Sequence, residues 1–192
     1  MGLAGIVGRL EAVGPSCGGT RVVAVDGHAG AGKTTLAGRL ARSDQVVHLD
    51  DLATHEKPFG WTERLVEQVL TPLGRGRPAV HDVYDWTQGR FTSTREIPPA
   101  PLVLLEGVGA GRRALRPYLA LVLWLEVSPA EAHRRGLRRD GPGLAGFWSG
   151  WTRAEEAHFA ADPTRPYADL LVRQTPDGDG YTATPGPGGD VR

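Results

Sequence analysis

Residues 21–36 read RVVAVDGHAGAGKTTL. An apolar, strand-like run passes into a glycine-rich turn and then into the start of a helix. Gly27, Gly32, Lys33 and Thr34 stand in the spacing G-x-x-x-x-G-K-T. Each residue type has a physical task in that pattern. Glycines let the backbone coil so tightly that successive N–H groups point into one anion-sized hollow. The helix that follows adds the positive end of its dipole to the same hollow. A lysine at Lys33 reaches the β- and γ-phosphates of a nucleotide, and the Thr34 hydroxyl can ligate Mg²⁺. Gly27, His28, Ala29, Gly30, Ala31, Gly32, Lys33, Thr34 and Thr35 are therefore expected to wrap the triphosphate of ATP. Among 22 basic residues only Lys33 and Lys57 are lysines, and one of the two stands where a phosphate-binding lysine belongs.

The rest of the composition narrows the setting. The chain has 192 residues, enough for one domain with a sizeable core. Its 22 basic and 22 acidic residues balance, so no global field draws it to nucleic acid or to an anionic membrane. The single cysteine, Cys17, excludes an internal disulfide and suits a reducing cytoplasm, the expected location. No apolar run approaches the ~20 residues of a membrane span, and no signal-peptide pattern is expected.

Outward from the glycine-rich turn, apolar runs alternate with helical periodicity. Leu3, Ile6, Val7 and Leu10 predict a short helix over 3–13. Strands are expected over 21–26, 45–49, 102–105, 121–127 and 168–172. Helices are expected over 33–42, 62–73, 112–118, 128–139 and 147–161; Ser128, Pro129 and Glu131 supply the N-cap, first-position proline and capping-box glutamate. Residues 79–86 read as extended and 87–101 as an irregular or hairpin segment, a surface that leaves homo-oligomerisation open. The alternation predicts an α/β three-layer sandwich: a parallel sheet of about five strands with helices on both faces. The single domain is expected to span 1–174, and the Gly- and Pro-rich segment 175–192 reads as a flexible tail or a weak terminal hairpin.

In such sheets ligands bind beyond the carboxyl ends of the strands. That rule gathers the glycine-rich turn, Asp50, Asp51 and Glu106 onto one edge. A carboxylate at Asp50 can orient an acceptor hydroxyl and take its proton. Glu106, ending L-V-L-L-E-G, can hold Mg²⁺ through water or meet substrate, so Thr34, Glu106 and Asp50 form the expected metal set. Arg134, Arg135, Arg138 and Arg139 run into Asp140-Gly141-Pro142-Gly143, the pattern of a short lid that closes over phosphates. Their i, i+4 spacing makes two adjacent stripes, 134/138 and 135/139, of which at least one is expected to face the cleft. Lys33, Arg135 and Arg139 would offset charge on a transferred phosphoryl group. Trp148 and Trp151, at helical spacing, read as core, as does His81. A chain without asparagine cannot supply the N-K-x-D loop of guanine-specific switches, so ATP is the expected nucleotide.

Taken in order, DGHAGAGKTTLA, L-D-D-L, V-Y-D-W, L-L-E-G and R-R-G-L-R-R-D resemble the uridine kinase-like branch of the P-loop kinases. That branch also holds pantothenate kinase and phosphoribulokinase relatives. The likeness runs over residues 20–173. It implies a P-loop NTPase fold and an ATP- and Mg²⁺-dependent transfer of the γ-phosphate to a hydroxyl, in the manner of a uridine kinase. It places Asp50 at the residue that activates the hydroxyl, Tyr84 and Asp85 beside the nucleoside, and Arg135, Arg138 and Arg139 in the lid. Asp51, Asp82, Tyr84, Trp86, Glu106 and Arg138 are the candidate contacts to a small-molecule acceptor. A nucleoside, a nucleoside monophosphate and another small alcohol all stay open as acceptors, as does an ATPase module that phosphorylates none of them.

Overall fold

The computed structural model describes residues 1–189. In chain order the elements are α1 (Leu3–Ala12), β1 (Arg21–Asp26), α2 (Lys33–Leu40), β2 (Val46–His48), α3 (Thr62–Leu65), α4 (Thr71–Gly74), β3 (Ala79–Asp85), β4 (Arg90–Ile97), β5 (Leu102–Glu106), β6 (Leu121–Leu125), α5 (Pro129–Asp140), α6 (Ala145–Ala161), β7 (Leu170–Gln174) and β8 (Tyr181–Pro185).

β1 is central because every one of its residues after Arg21 is buried, which only a strand flanked on both edges and both faces can satisfy. The sheet runs β2-β5-β1-β6-β7-β8. All its pairings are parallel except β7–β8. The register fixes the site. Val25 lies opposite Glu106, Asp26 opposite Trp124, and His48 opposite Glu106, so three strand ends finish level on one edge.

The alternation of β1 sorts two cores. Val22 and Ala24 face a layer that contains Trp61, Leu65, Val69 and Leu73. Val23 and Val25 face the other layer, with Ile6 and Leu10 of α1 and Leu36, Ala37 and Leu40 of α2. Each fully buried leucine or valine contributes about 1.5–3 kcal/mol, and the two faces together carry the three-layer sandwich. β3 and β4 form a separate antiparallel hairpin that adds Ala79 and Ile97 to the first core.

Three segments differ from expectation. The helix expected over 62–73 is interrupted by a π-helical turn, Val66–Leu70, whose Gln68 exchanges hydrogen bonds with Asp82. The expected helix over 112–118 shrinks to a 3₁₀ turn, Arg116–Tyr118, because Arg112 is drawn inward by other partners. After Thr175 the chain takes the hairpin of its two expected forms, but as a sixth strand of the sheet and not outside the domain: Tyr181 and Ala183 are buried beside α1, and the Met1 ammonium donates to the Ala183 carbonyl at 2.8 Å. The sheet thus has six strands instead of five. Residues 190–192 of the expected tail lie outside the described residues. No helix among those described is long and apolar enough to cross a membrane.

Candidate active site

The glycine-rich turn leaves β1 through Asp26, which is fully buried. Its carboxylate accepts from the N–H groups of Gly27 (2.7 Å), Gly109 (2.9 Å) and Gly111 (3.0 Å). Three donors compensate a buried charge and tie the turn to the loop after β5. Gly30 has φ +86°, and a Cβ there would lie 2.1 Å from the Ala132 carbonyl oxygen, so only glycine lets the turn lie against α5. Lys33 is buried, and its ammonium donates to the carbonyls of Gly27 and His28 at 3.0 Å each, curling the turn around itself. Ala31 N–H donates to the His28 carbonyl at 3.0 Å. Gly27, His28 and Ala31 shape the turn from behind. Ala29, Gly30, Gly32, Lys33, Thr34 and Thr35 line a 420 Å³ cavity, opposite Asp50, Glu106, Arg135 and Arg139. Backbone N–H groups at a helix N-terminus give such a hollow the chemistry to hold an anion.

The acidic edge divides into separate tasks. The Thr34 hydroxyl donates to Glu106 Oε2 at 3.2 Å, and His48 Nδ1 lies 2.7 Å from the same oxygen. That hydrogen bond to Glu106 outweighs desolvation and raises the His48 pKa above its ordinary value. Hard oxygen donors at Thr34 and Glu106 suit Mg²⁺. Among the described residues no group of three or more His, Cys, Asp or Glu side chains is arranged for a metal by itself. A Mg²⁺ held here would take its remaining ligands from phosphate oxygens and water, as this ion commonly does.

Asp50 sits in the 3₁₀ turn Leu49–Asp51 that follows β2. It is reached by water through the open cleft, yet protein surrounds it closely enough that desolvation raises its carboxyl pKa, with Lys33 opposing the rise. Asp51 turns instead to Arg95 of the hairpin at 3.6 Å and lines neither cavity.

The two arginine stripes of α5 part as their spacing requires. Arg135 and Arg139 line the phosphate cavity. Arg134 and Arg138 are exposed and line neither of the two described cavities. Glu131 pairs with Arg134 and, at 2.7 Å, with Arg135, and its carboxyl is held below its ordinary range, chiefly by the Arg135 hydrogen bond. Arg139 is gripped by Asp140 through both Nε (2.6 Å) and Nη2 (2.9 Å). Asp140 also accepts from Trp148 Nε1 at 3.1 Å. Arg139 holds the Asp140 carboxyl below its usual range, and the same bond raises the guanidinium.

Beyond Arg139 lies a second cavity of 460 Å³, walled by His55, Trp86, Phe147, Trp148 and Trp151, with Leu144 at the lid and Thr87 and Asp140 as polar points. It shares Ala29, Asp50, Arg139 and Trp151 with the phosphate cavity. The rings meet at steep angles: His55 and Trp86 at 65°, Trp86 and Phe147 at 78°. Trp86 also donates from Nε1 to the Asp50 carbonyl at 3.2 Å. Tyr84 stands behind this wall, with its hydroxyl 2.9 Å from His55 Nδ1. Asp82 is taken by Gln68, and His81 is fully buried with Nδ1 2.9 Å from the Asp82 carbonyl oxygen. Trp148 is buried, as its reading as core expects, and also lines the cavity, whereas Trp151 is only half-buried and serves as a wall. His48, His55, Phe147 and Glu155 were not singled out as site residues by the sequence, and Asp140 was named only within the run that the arginines enter. Only Asp140 carried a signal, its place directly after the arginine run.

No family model and no curated protein matches this chain. Solved structures do. A possible uridine kinase from Bacillus stearothermophilus superposes with a TM-score of 0.55 at 19% identity, covering 82% of this chain and 93% of that one. A candidate fructose transport system kinase from Silicibacter sp. TM1040 gives 0.62 at 21% identity, covering 82% and 95%. At these identities the likeness shows the fold alone, an α/β sandwich around a mostly parallel sheet.

Proposed function

We propose that the protein is an ATP- and Mg²⁺-dependent small-molecule kinase that transfers the γ-phosphate to a hydroxyl. The observation that carries this reading is the meeting of two cavities of similar size at Asp50 and Arg139. One cavity is polar and built from a phosphate-binding turn; the other is walled by aromatic side chains. A phosphoryl group passing between them crosses a carboxylate and a guanidinium. The names borne by the two solved structures, both kinases, agree with it.

The residues divide the work accordingly. Backbone N–H groups of the turn and Lys33 bind the β- and γ-phosphates. Bound Mg²⁺ would supply charge neutralisation across the phosphates, held on the protein side by Thr34 and, through water, Glu106. Asp50 orients the acceptor hydroxyl and takes its proton; a pKa raised by desolvation makes it a better base than an ordinary aspartate. Arg135 and Arg139 stabilise charge on the transferred group. The aromatic walls favour an acceptor with a flat ring, a nucleoside first among them, because ring faces and edges recognise π-systems without many hydrogen bonds. Arg112 donates to the carbonyl of Phe59 and the hydroxyl of Thr62, lies over the face of Trp61, and lines neither cavity.

The test is a coupled ADP-release screen over nucleosides, nucleoside monophosphates and pantothenate-like alcohols. ADP release that depends on one class of added alcohol is the expected result. Equal release with and without every acceptor would instead mark an ATPase module.

A further inference from the structure

α6 touches both cavities and the phosphate-binding turn with one face. Trp148, Trp151 and Glu155 are separated by three and four residues, so they stack along a single stripe of the helix. Trp148 and Trp151 line the aromatic cavity, and Trp151 also lines the phosphate cavity. One turn further on, Glu155 is buried, and both of its oxygens are used on successive residues of the turn. Oε1 accepts from the Ala29 N–H at 2.7 Å, and Oε2 lies 2.9 Å from His28 Nδ1. The His28 ring is in turn wedged edge-on against Trp124 (5.5 Å) and Phe159 (5.2 Å).

A phosphate cradle needs its N–H groups aimed before the phosphate arrives, since aiming them afterwards costs binding free energy. Glycines give the turn freedom to coil and, by the same freedom, freedom to lose its shape. Lys33 restrains the turn from within, through carbonyls. Glu155 restrains it from outside, through an N–H and a ring, from a helix 126 residues away in sequence. We propose that Glu155 is a positioning residue: it preorganises His28 and Ala29, and so the cradle, and makes the helix that walls the acceptor cavity part of the nucleotide site. The proposal rests on the cradle binding ATP, the reading given above. Its consequence is that material packed against Trp148 and Trp151 steadies α6, and that steadiness reaches the phosphate site through one carboxylate.

The test is calorimetric titration of the full chain with ATP and Mg²⁺, beside thermal unfolding of the nucleotide-free protein. Glu155→Ala is expected to weaken ATP about tenfold while remaining folded. Glu155→Gln, whose amide oxygen still accepts from Ala29 and whose amide nitrogen still reaches the His28 ring, should recover most of that loss. Should the alanine variant fail to fold, Glu155→Asp takes its place: it keeps the charge but is one carbon–carbon bond too short to hold both partners, and a several-fold weakening is expected. A folded alanine or aspartate variant that binds ATP as the native chain does overturns the proposal. So does a loss that Glu155→Gln fails to restore, since the carboxylate would then act by charge and not by position. Native protein that binds no ATP refutes the kinase reading instead, which keeps the two failures apart.

Discussion

Asp50→Asn is the sharpest perturbation of the proposed chemistry. The side chains are nearly isosteric, and the backbone at this position is held independently of the carboxylate, by the 3₁₀ turn Leu49–Asp51 and by the Trp86 indole bond to the Asp50 carbonyl. The amide should therefore occupy the same place between the cavities, with the ability to accept a proton removed. General-base catalysis is worth about 10²- to 10⁴-fold, or roughly 2.7–5.4 kcal/mol of barrier. Phosphoryl transfer relies mostly on positioning and charge stabilisation, which sets the expectation at the lower end, a fall in kcat of about 10²-fold. Nucleotide affinity should hold or improve, because a negative charge near the phosphates has gone while Lys33, Arg135 and Arg139 stay. The assay compares native and variant ADP release on whichever alcohol the screen returns, with ATP binding measured in parallel. Turnover within about threefold of native, with ATP still bound, would refute Asp50 as the base.

Trp151 lines both cavities, so ATP should change the intrinsic fluorescence of the native chain, and Trp151→Phe should remove most of that change while keeping a ring in place; an undiminished signal would remove Trp151 from the nucleotide site. At Gly136 a Cβ would lie 2.0 Å from the Trp148 ring, so Gly136→Ala forces α5 and α6 apart. Helix propensity alone would add about 1 kcal/mol, but overpacking costs about 1–3 kcal/mol, so the melting temperature should fall, and a rise would refute the packing. Glu126 is held below its ordinary carboxyl range by hydrogen bonding to Arg165, with Arg173 adding to the effect. A depressed folded-state pKa contributes stability that is present above the unfolded value of about 4.3 and is lost as pH falls through the folded value. Both arginines are largely exposed, so Glu126→Gln should lose no more than about 1 kcal/mol at pH 7, a melting shift of about 2–4 °C. That difference should close in acid, and an unchanged gap would show that the loss is not electrostatic.

The glycine-rich half of the candidate site was legible because it is local. The spacing of Gly27, Gly32, Lys33 and Thr34 dictates a backbone shape within eight residues, and strand-end rules carry Asp50 and Glu106 to the same edge without knowledge of any distant contact. The split of the arginines was half legible: i, i+4 spacing gives the two stripes, but only the packing of α5 against the turn, at Gly30 and Ala132, decides that 135/139 faces inward. The segment after Thr175 stayed open between tail and hairpin because its glycines and prolines mask an alternation, Tyr181 and Ala183 inward, that is satisfied only against α1 at the other end of the chain.

The acceptor half was illegible for a different physical reason. Trp148 and Trp151 have the spacing of core residues, and in one sense they are core: Trp148 is 3% exposed. What separates a core aromatic from a cavity wall is whether protein fills the space beside each ring, and no residue's own identity records that. Here the space is kept open by elements that meet only in three dimensions. Asp140 ties Trp148 to Arg139, Gly136 lets the Trp148 ring lie on α5, and Glu155 anchors the far end of the same helix to the turn. α6 is thus tied at both ends by polar contacts, and Trp151 and Phe159 pack against Phe59 and Trp124, leaving Phe147, Trp148 and Trp151 to line the second cavity.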